Sequence, residues 1–308
     1  MKTSCAGVVV GLVVWAGSAW AQAEGRGAGP GAAPAAAAGE AQEEAGFKVQ
    51  PARLSLRVDA MAWYMGPGGD LDLPSTEALG DPDAFTIDGL GYDTPRFVVT
   101  PEFNVTWSDR WRLTLRGYYF TDSHDANAAS DGQIGRVRFD AGDALHSNFR
   151  FGSYEAEVGY TWDGFPEKLA GVLDRDSFST LEVVAGVRVF QVGWDLSRGA
   201  GPLGPADAAQ SIDETFVQPM VGGRLACEFV RDMGLDAQVD IGLLPLGDGS
   251  NVSGDVIVGG WWKPWPHVGV QIGYRAAYFS LGSGAAGPEQ FDFTGWNQGL
   301  QFGLVITF

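Results

Sequence analysis

Two of the three histidines stand next to a serine, and this arrangement is the first to suggest chemistry. His124 follows Ser123, and His146 precedes Ser147. A hydrolase would use one imidazole to activate a hydroxyl, with an acidic residue orienting the ring. Sequence neighbours seldom form such a pair, and the chain contains no Gly-x-Ser-x-Gly motif. We therefore expect no enzymatic activity, and a lipid hydrolase is the least favoured function.

Two stretches rich in glycine and aspartate could offer oxygen ligands to Ca²⁺. They are Gly69-Asp70-Leu71-Asp72 and Gly247-Asp248-Gly249-Ser250-Asn251. The same residue types are usual in solvated turns, and the His and Cys residues lack the spacing of a zinc site. Cys227 is expected to act as a small apolar residue. We expect neither a metal nor a cofactor.

A larger set of charged residues lies on one parity of extended segments, with Val, Leu, Ile or Phe on the other. An Arg facing lipid at the bilayer midplane costs about 2–4 kcal/mol, so the charged parity is predicted to face an interior. Guanidinium groups suit such confined ion pairs because their planar fork can bond both carboxylate oxygens. The predicted interior network consists of Arg57, Asp59, Glu102, Arg112, Arg116, Glu155, Glu157, Glu182, Arg188, Arg224, Glu228, Asp236, Asp240 and Arg275.

The elements that carry these residues alternate with a period of two, which is the signature of β-strands. Most candidate strands are longer than the roughly 5–6 residues usual in globular proteins, and longer than the about 9–11 that cross a bilayer when tilted. They are Arg53–Met65, Arg96–Ser108, Trp111–Asp122, Phe149–Trp162, Phe178–Val192, Phe216–Arg231, Gly234–Leu244, Gly254–Lys263, His267–Leu281 and Trp296–Phe308. One segment breaks the pattern, because Phe149 and Phe151 share the parity of Glu155 and Glu157. Either its start projects above the membrane or a bulge resets the face.

Connections alternate in length, as in barrels with short turns on one side of the membrane and long loops on the other. The turns at Ser108–Arg110, Asp232–Met233 and Pro264–Pro266 are short. Asp163–Ser177 is longer, with a possible helical turn at Glu167–Asp174. The opposite set is mostly long: Gly66–Pro95, Ser123–Asn148, Gly193–Thr215, Pro245–Ser253 and Gly282–Gly295. We predict an all-β fold: a closed, antiparallel, up-and-down transmembrane β-barrel of ten strands, with eight or twelve as alternatives.

Aromatic residues near the strand ends predict two membrane-interface girdles. Trp63, Tyr64, Tyr119, Tyr278 and Trp296 fall near the long-loop ends. At the short-turn ends the predicted girdle is Trp107, Trp111, Trp162, Trp261, Trp262 and Trp265. Aromatic residues simply flanking the strands of any β-protein are the alternative interpretation.

The last strand resembles the terminal strand of Gram-negative outer-membrane β-barrels. Large apolar residues recur at every second position and end on Phe308. The resemblance implies that Phe308 serves as an insertion signal for the barrel-insertion machinery. It also implies that outer-membrane lipid covers the apolar face.

The front of the chain predicts export. A charged start, an apolar run and Ala19-Trp20-Ala21 indicate a signal peptide over 1–21. Residues 22–50 are rich in Ala, Gly, Pro and Glu and predict a disordered periplasmic tail, with a short helix at Ala33–Ala45 as the alternative. The barrel domain is then 51–308. A formal charge of −18 argues against nucleic acid as a partner.

A narrower resemblance rests on Phe85-Thr-Ile-Asp-Gly-Leu-Gly-Tyr-Asp-Thr-Pro95, followed by a strand and a Ser-Asp-Arg-Trp-Arg turn. It is similar to a family of small bacterial outer-membrane barrels with an Asp-Leu-Gly-Leu-Asp-Asp-type segment before the second strand. This chain has an extra Gly89 and lacks the second terminal Asp. The resemblance implies fold and location only.

Four functions remain open from the sequence. The favoured one is a monomeric structural or interaction barrel with at most a narrow pore, its lumen largely filled by the Arg–carboxylate network. A small porin-like channel for ions or solutes is the alternative. The lipid hydrolase and a soluble periplasmic barrel are less favoured.

Overall fold

A computed structural model describes residues 54–75, 85–86, 91–92, 94–108, 110–162, 178–199, 209–230, 232–246, 249–284 and 290–308. Ten long strands dominate this part of the chain: β1 (Leu54–Asp72), β3 (Arg96–Trp107), β4 (Trp111–Asn127), β7 (Ala144–Trp162), β8 (Phe178–Arg198), β9 (Ala209–Val230), β10 (Met233–Leu246), β11 (Gly249–Trp265), β12 (Val268–Ser283) and β13 (Phe291–Thr307). Three short strands accompany them: β2 (Phe85–Thr86), β5 (Gly132–Ile134) and β6 (Val137–Phe139).

The ten long strands form one closed sheet. Each pairs antiparallel with its sequence neighbour, and β1 pairs on its second side with β13, so the ring has no free edge. Closure runs to the end of the chain, where the Phe308 N–H donates to the Leu56 carbonyl at 2.8 Å. The predicted all-β, ten-stranded antiparallel barrel is confirmed, and the eight- and twelve-strand alternatives are wrong.

Along the middle of each strand the two parities separate as predicted. Outward residues such as Val99 and Ile272 are 71% and 64% exposed, whereas inward Asp59 and Arg188 are 3% and 2% exposed. An outer wall with this many exposed Val, Leu, Ile and Phe side chains needs an apolar solvent. Among the described residues there is no helix long and apolar enough to span a membrane.

The strands are longer than predicted, and the added residues lie mostly at the end opposite the chain termini, called here the long-loop end. β1 continues to Asp72 instead of ending at Met65, and β9 begins at Ala209 instead of Phe216. The predicted loop Pro245–Ser253 is almost entirely strand, leaving positions 247–248 between β10 and β11.

In these extensions the polarity of the two faces reverses. On β8, Val192, Trp194 and Leu196 are buried inside, while Gln191 is exposed on the outer wall. Water on the outside and protein on the inside require this arrangement, just as lipid outside requires the opposite. The apolar–polar alternation is lost where the polarity reverses, so the predicted strands end there and are too short.

The reversal also resolves the irregular segment on β7. Its register with β4 and β8 is continuous, so no bulge occurs there. Phe149 and Phe151 are buried and face inward, on the same side as Glu155 and Glu157. They belong to a set of inward aromatic side chains that fills the long-loop half of the barrel. This aromatic plug comprises Trp63, Tyr118, Phe120, Phe149, Phe151, Phe190, Trp194, Phe279 and Phe293.

Trp63 therefore departs from the prediction. It is fully buried inside the barrel, at 5.2 Å and 90° from the Tyr118 ring, instead of lying in an outer girdle. The girdle prediction rested on the position of Trp63 near the end of the predicted strand. Its side chain has the same parity as Asp59, however, and therefore points inward. Tyr64, Tyr119, Tyr278 and Trp296 are exposed on the outer wall at this level.

Above the plug, two segments close the barrel mouth. The β5–β6 hairpin buries Ile134 and Val137. Gln210 fastens it, because its Oε1 accepts from the Arg136 N–H at 2.6 Å while its Nε2 donates to the Pro74 carbonyl at 3.0 Å.

The second segment carries Tyr92 into the mouth. Its hydroxyl donates to Ser147 Oγ at 2.7 Å, and its ring packs against Phe149 and Trp194. Gly91 has a φ of +80°, and a Cβ there would lie 2.8 Å from the His124 ring. A glycine is thus required where this segment turns inward.

Several predictions fall outside the described residues: the signal peptide, the tail with its alternative helix, the helical turn at Glu167–Asp174, and positions 87–90 and 93 of the Phe85–Pro95 segment. The chain divides between Gln50 and Pro51, and the first unit is wholly outside the described residues.

We expect Phe151→Ala to lower the free energy of unfolding by about 3–5 kcal/mol, because it removes a buried ring from a packed core. Equilibrium urea unfolding of the refolded barrel in detergent micelles measures the change. Phe97→Leu is the control, since Phe97 lies 66% exposed on the outer wall. Equal losses in both variants would show that the plug is not the packed core.

A second prediction concerns pH. Burial raises the pKa of the Tyr92 hydroxyl from 10.0 to about 12. A raised pKa means that the neutral phenol is favoured in the folded state. Its contribution is complete below pH 10 and is lost as the pH rises toward 12. Wild-type protein should therefore lose more unfolding free energy over that interval than Tyr92→Phe does, and identical pH profiles would contradict this.

Candidate functional site: the ionic lumen

The lumen below the aromatic plug is filled by charged side chains from facing strands. Its upper part, called the central layer, holds three guanidinium groups and four carboxylates. They are Arg116 of β4, Arg188 of β8, Arg275 of β12, Glu155 and Glu157 of β7, Asp240 of β10 and Asp255 of β11. All seven residues are buried.

Glu155 is the acceptor that joins all three arginines. Its Oε1 lies 3.1 Å from Arg188 Nε and 3.3 Å from Arg275 Nη2. Its Oε2 is bonded by Arg116 Nε. A buried carboxylate with three charged donors has its lone pairs well occupied, which is the condition under which burying it is tolerated.

The β-ladder itself sets up these contacts. Glu102, Arg116, Glu155 and Arg188 occupy directly opposite positions on β3, β4, β7 and β8. Charges of opposite sign on adjacent strands attract at about 5 Å between Cβ atoms. The strand register therefore places oppositely charged side chains next to each other on adjacent strands.

On the far wall two like charges face each other. Asp240 and Asp255 are directly opposite in the β10–β11 ladder, which would be unfavourable without cations. Arg116 Nη2 lies 3.0 Å from Asp240, and Arg188 Nη2 also bonds that carboxylate. Arg275 Nε donates to Asp255 at 2.8 Å. Guanidinium groups from three other strands thus hold the pair together.

Asp255 was not identified from the sequence. It shares its face with Ile257, which is also buried in the lumen. Because Ile257 is apolar, the sequence of β11 does not show which of its two faces carries the charged residues. The uncharged lumenal partners were also missed, including Gln218 and Ser253, which extend the contacts of Arg188.

Toward the short-turn end lies a second set, called the lower layer. Arg57, Arg112 and Arg224 meet Asp59, Glu102, Glu182 and Asp236. Arg57 bonds Asp59 at 2.7 Å, whereas Arg112 lies 3.2 Å from Glu182. Gly159 leaves the space for that carboxylate, since a Cβ there would overlap Glu182 Oε1 at 1.7 Å.

A cavity opens beside the lower layer. It is a small cavity of about 30 Å³, room for two or three water molecules, and is lined mostly by charged and amide side chains. The inward-facing side chains of Arg57 and Arg112 are 21% and 25% exposed. Solvent therefore reaches this part of the lumen from the short-turn end.

Thirteen of the fourteen residues of the predicted network lie in one or other layer; the exception is Glu228. Glu228 lies at the β9–β10 turn, where its Oε1 accepts from the Asp232 N–H at 3.2 Å. Glu228 therefore contacts the turn and not the ion pairs of the lumen, because it lies two residues before the end of β9.

The predicted short-turn girdle divides similarly. Trp111, Trp162, Trp262 and Trp265 are exposed on the outer wall. Trp107 stacks on Trp111 with ring centroids 6.4 Å apart. Trp261 has the inward parity of Asp255 and lies 5.0 Å from Lys263 Nζ, so it is not an outward anchor.

The candidate hydrolytic residues are otherwise engaged. Ser147 Oγ accepts from Tyr92 and from Trp194 Nε1, each at 2.7 Å. His146 is exposed and pairs with Asp125. Ser123 donates to Asn148 at 3.1 Å. Both histidines lie within strands instead of in a loop.

The described residues of the two candidate calcium stretches are strand as well. Asp70 and Asp72 belong to β1 and are exposed, while Asn251 is buried on β11 and accepts from the Gly282 N–H at 2.6 Å. Positions 247–248 are outside the described residues. Cys227 has outward parity and is half-buried.

Among the described residues, one group of carboxylates lies close enough together to hold a cation: Glu155, Asp240 and Asp255. Each of these carboxylates is bonded by arginine, however. A metal would have to displace guanidinium groups from a buried site, so the central layer fits ion pairs better than a metal centre.

No protein-family model and no curated protein matches this sequence. Solved structures with a similar fold are outer-membrane β-barrel proteins. They include the outer membrane protease OmpT from Escherichia coli, with 10% identity over 82% of this chain and 97% of that chain and a TM-score of 0.46. The translocator domain of the autotransporter NalP from Neisseria meningitidis has 12% identity over 82% and 88%, with a TM-score of 0.39. Neisserial surface protein A has 12% identity over 84% and 100%, with a TM-score of 0.28.

Removing the shared acceptor should damage the central layer most. Glu155→Gln is expected to cost about 3–5 kcal/mol of unfolding free energy, because three buried cations lose a common partner. Arg188→Met should cost a similar amount, and the double variant should lose clearly less than the sum. Urea unfolding of the four proteins gives this cycle, and strictly additive losses would contradict a direct coupling.

The matched control is Glu228→Gln at the β9–β10 turn, outside the lumen. It should change the unfolding free energy by about 0.5 kcal/mol or less.

Proposed function

We propose that the protein is a monomeric outer-membrane β-barrel of structural or interaction type whose lumen does not conduct. The observation that carries this proposal is the double obstruction of the lumen. The buried central layer crosses it at one level, and the aromatic plug fills it at the next. Packed interiors leave few voids larger than a water molecule.

Outer-membrane location is supported by the sequence and by the wall of the barrel. The apolar outer band, the aromatic residues at its borders and the export signal predicted over 1–21 all favour it. The Phe308 ring is 69% exposed, while its backbone closes the sheet against Leu56. An exposed terminal aromatic residue is available to the barrel-insertion machinery, which we propose as a transient partner alongside outer-membrane lipid.

The interaction surface proposed here is the extension at the long-loop end. Its outer wall is polar and carries ion pairs that link neighbouring strands. Arg150 bridges Asp195 and Asp213, both at 3.0 Å, across β7, β8 and β9. A polar sheet that extends beyond the membrane is suited to contact other molecules. Because its backbone is already ordered in strands, binding costs less conformational entropy than it would for flexible loops.

The alternative is a small porin-like channel. It would require the mouth segments, the plug and the central layer all to rearrange. Membership of the small-barrel family with the Asp-Leu-Gly-Leu-Asp-Asp-type segment stays part of this proposal and implies no activity. Absence of enzymatic activity is likewise proposed, in keeping with the engagement of Ser147 by Tyr92 and Trp194.

Conductance in planar lipid bilayers tests the sealed lumen. Wild-type protein is expected to give no stable unitary steps. A variant with Phe149→Ala, Phe151→Ala and Arg188→Ala removes parts of both obstructions and should give steps under the same conditions. That variant also shows that inserted barrels would be detected. Stable steps from wild-type protein would establish the channel instead.

A further inference from the structure

The barrel wall is not laddered to the same height between all of its strands. Between β3 and β4 the last ladder pair is Glu102 with Arg116. Beyond it β3 continues to Arg96 and β4 continues to Asn127, and all of these positions belong to the described chain. They pair with β1 and β7 but not with each other. This gap in the ladder is called here the first seam.

A second seam separates β9 from β10 on the other side of the ring. Among the described residues its last ladder pair is Met220 with Gly242, whereas β9 begins at Ala209 and β10 ends at Leu246. Over these stretches β9 stays paired with β8, and β10 stays paired with β11. The two seams therefore divide the long-loop half of the wall into a four-strand sheet (β4, β7, β8 and β9) and a six-strand sheet (β10, β11, β12, β13, β1 and β3).

A proline stands at the base of each seam. Pro101 and Pro219 are the first residues beyond the last ladder pairs, next to Glu102 and Met220. Both remain in register with the strand on their other side. Successive residues of an antiparallel strand direct their N–H groups to alternate neighbours, so a proline removes a donor from one ladder only. The donor missing at each proline therefore accounts for the ladder that stops there.

Each seam lies between lipid outside and the aromatic plug inside. Phe97 and Tyr119 border the first seam on the outer wall, and both side chains are exposed. Val217 and Leu243, which border the second seam, are exposed as well. The inward residues at the first seam include Tyr118 of the plug. A seam that widened would thus expose the plug to the membrane.

Side chains close the seams where backbone pairing is missing. Across the first seam, the Arg96 guanidinium bonds the Asp122 carboxylate. Across the second, Ser253 Oγ donates to Gln218 Oε1 at 2.7 Å, through space that a Cβ on Gly242 would fill. Each of these latches also holds a buried nitrogen without a partner, Arg96 Nε and Gln218 Nε2. A few side-chain contacts thus stand in place of a backbone ladder.

The interior changes character at the height where the seams begin. Glu102 and Arg116, the last ladder pair below the first seam, belong to the ionic layers. Above them the two sheets pack face to face over the plug, as in a β-sandwich. There Phe151 of β7 stacks on Phe279 of β12 with ring centroids 4.8 Å apart. Apolar packing is non-directional, whereas separating buried ion pairs leaves charges uncompensated, so the plug permits displacements that the ionic layers resist.

We infer that the long-loop half of the wall consists of two hinged sheets, which part at the proline-bounded seams and open the plug to the membrane. The hinge lies at the ionic layers, and the Arg96–Asp122 and Gln218–Ser253 contacts are the latches. Because the central layer stays in place, the movement is sideways and requires no pore. The inference goes beyond the proposed function and does not depend on whether the lumen conducts.

Double electron–electron resonance on the spin-labelled full-length barrel, refolded in micelles, tests the movement. With Cys227→Ser as the background, labels at Asp70→Cys and Gln191→Cys report the distance between the two sheets above the seams. The matched control pair, Leu56→Cys and Val183→Cys, lies on the same two strands below the seams. The distance distribution above the seams should be at least twice as wide as that of the control pair.

Variants of the prolines and of a latch should change that width in opposite directions. Pro101→Val combined with Pro219→Val returns an N–H donor to both ladders and should narrow the upper distribution to the width of the control. Arg96→Gln removes a latch and should widen it. Val99→Ala, on the same strand with Pro101 in place, should leave it unchanged.

Equal widths above and below the seams would refute the hinged sheets, as would an upper distribution that the proline variants leave unchanged. If those variants fail to refold, amide hydrogen exchange of the wild-type barrel decides. The Val99 and Tyr119 amides at the first seam should exchange at least tenfold faster than those of Val105 and Leu113, which face each other in the ladder below. Equal protection at both heights would show that the wall is closed there.

Discussion

The whole lumen depends on one constraint: an arginine removed from water must keep carboxylate partners. Glu155 meets this requirement for three arginines at once, with Arg188 and Arg275 at 3.1 and 3.3 Å and Arg116 bonded to its second oxygen. The barrel surrounds this point with lipid-facing apolar residues, so bulk solvent is absent from both the wall and the central layer. Ionic contacts in such a place are strong when complete and severely unfavourable when one partner is missing.

The same constraint explains the vertical order of the interior. Ion pairs fill the part of the barrel whose outer wall is apolar, and aromatic rings fill the part whose outer wall is polar. Phe151 and Glu155 lie four residues apart on the same face of β7 and yet belong to these two different interiors. A strand can serve both because its side-chain period stays at two while the chemistry of each face changes with height.

Much of this could be read from the sequence. The ten strands, their closure and the inward parity of Arg116, Arg188 and Arg275 all follow from alternation and from the cost of charge in lipid. What failed had physical causes. Strand ends were misplaced because the reversal of polarity resembles a loop, Trp63 was placed by height instead of by face, and Asp255 was hidden by Ile257. Pairings that depend on register across several strands, such as Glu155 with Arg275, need the three-dimensional sheet.

The row Glu102, Arg116, Glu155 and Arg188 runs over four consecutive strands of the ring. Within that row two carboxylates alternate with two guanidinium groups, so adjacent strands supply each other's counter-charges. On the far wall Asp255 likewise pairs with Arg275 of the adjacent β12, whereas the arginines that bond Asp240 lie on β4 and β8. Neither of those strands pairs with β10, so Asp240 meets both of its cations only in a sheet that has curved into a barrel.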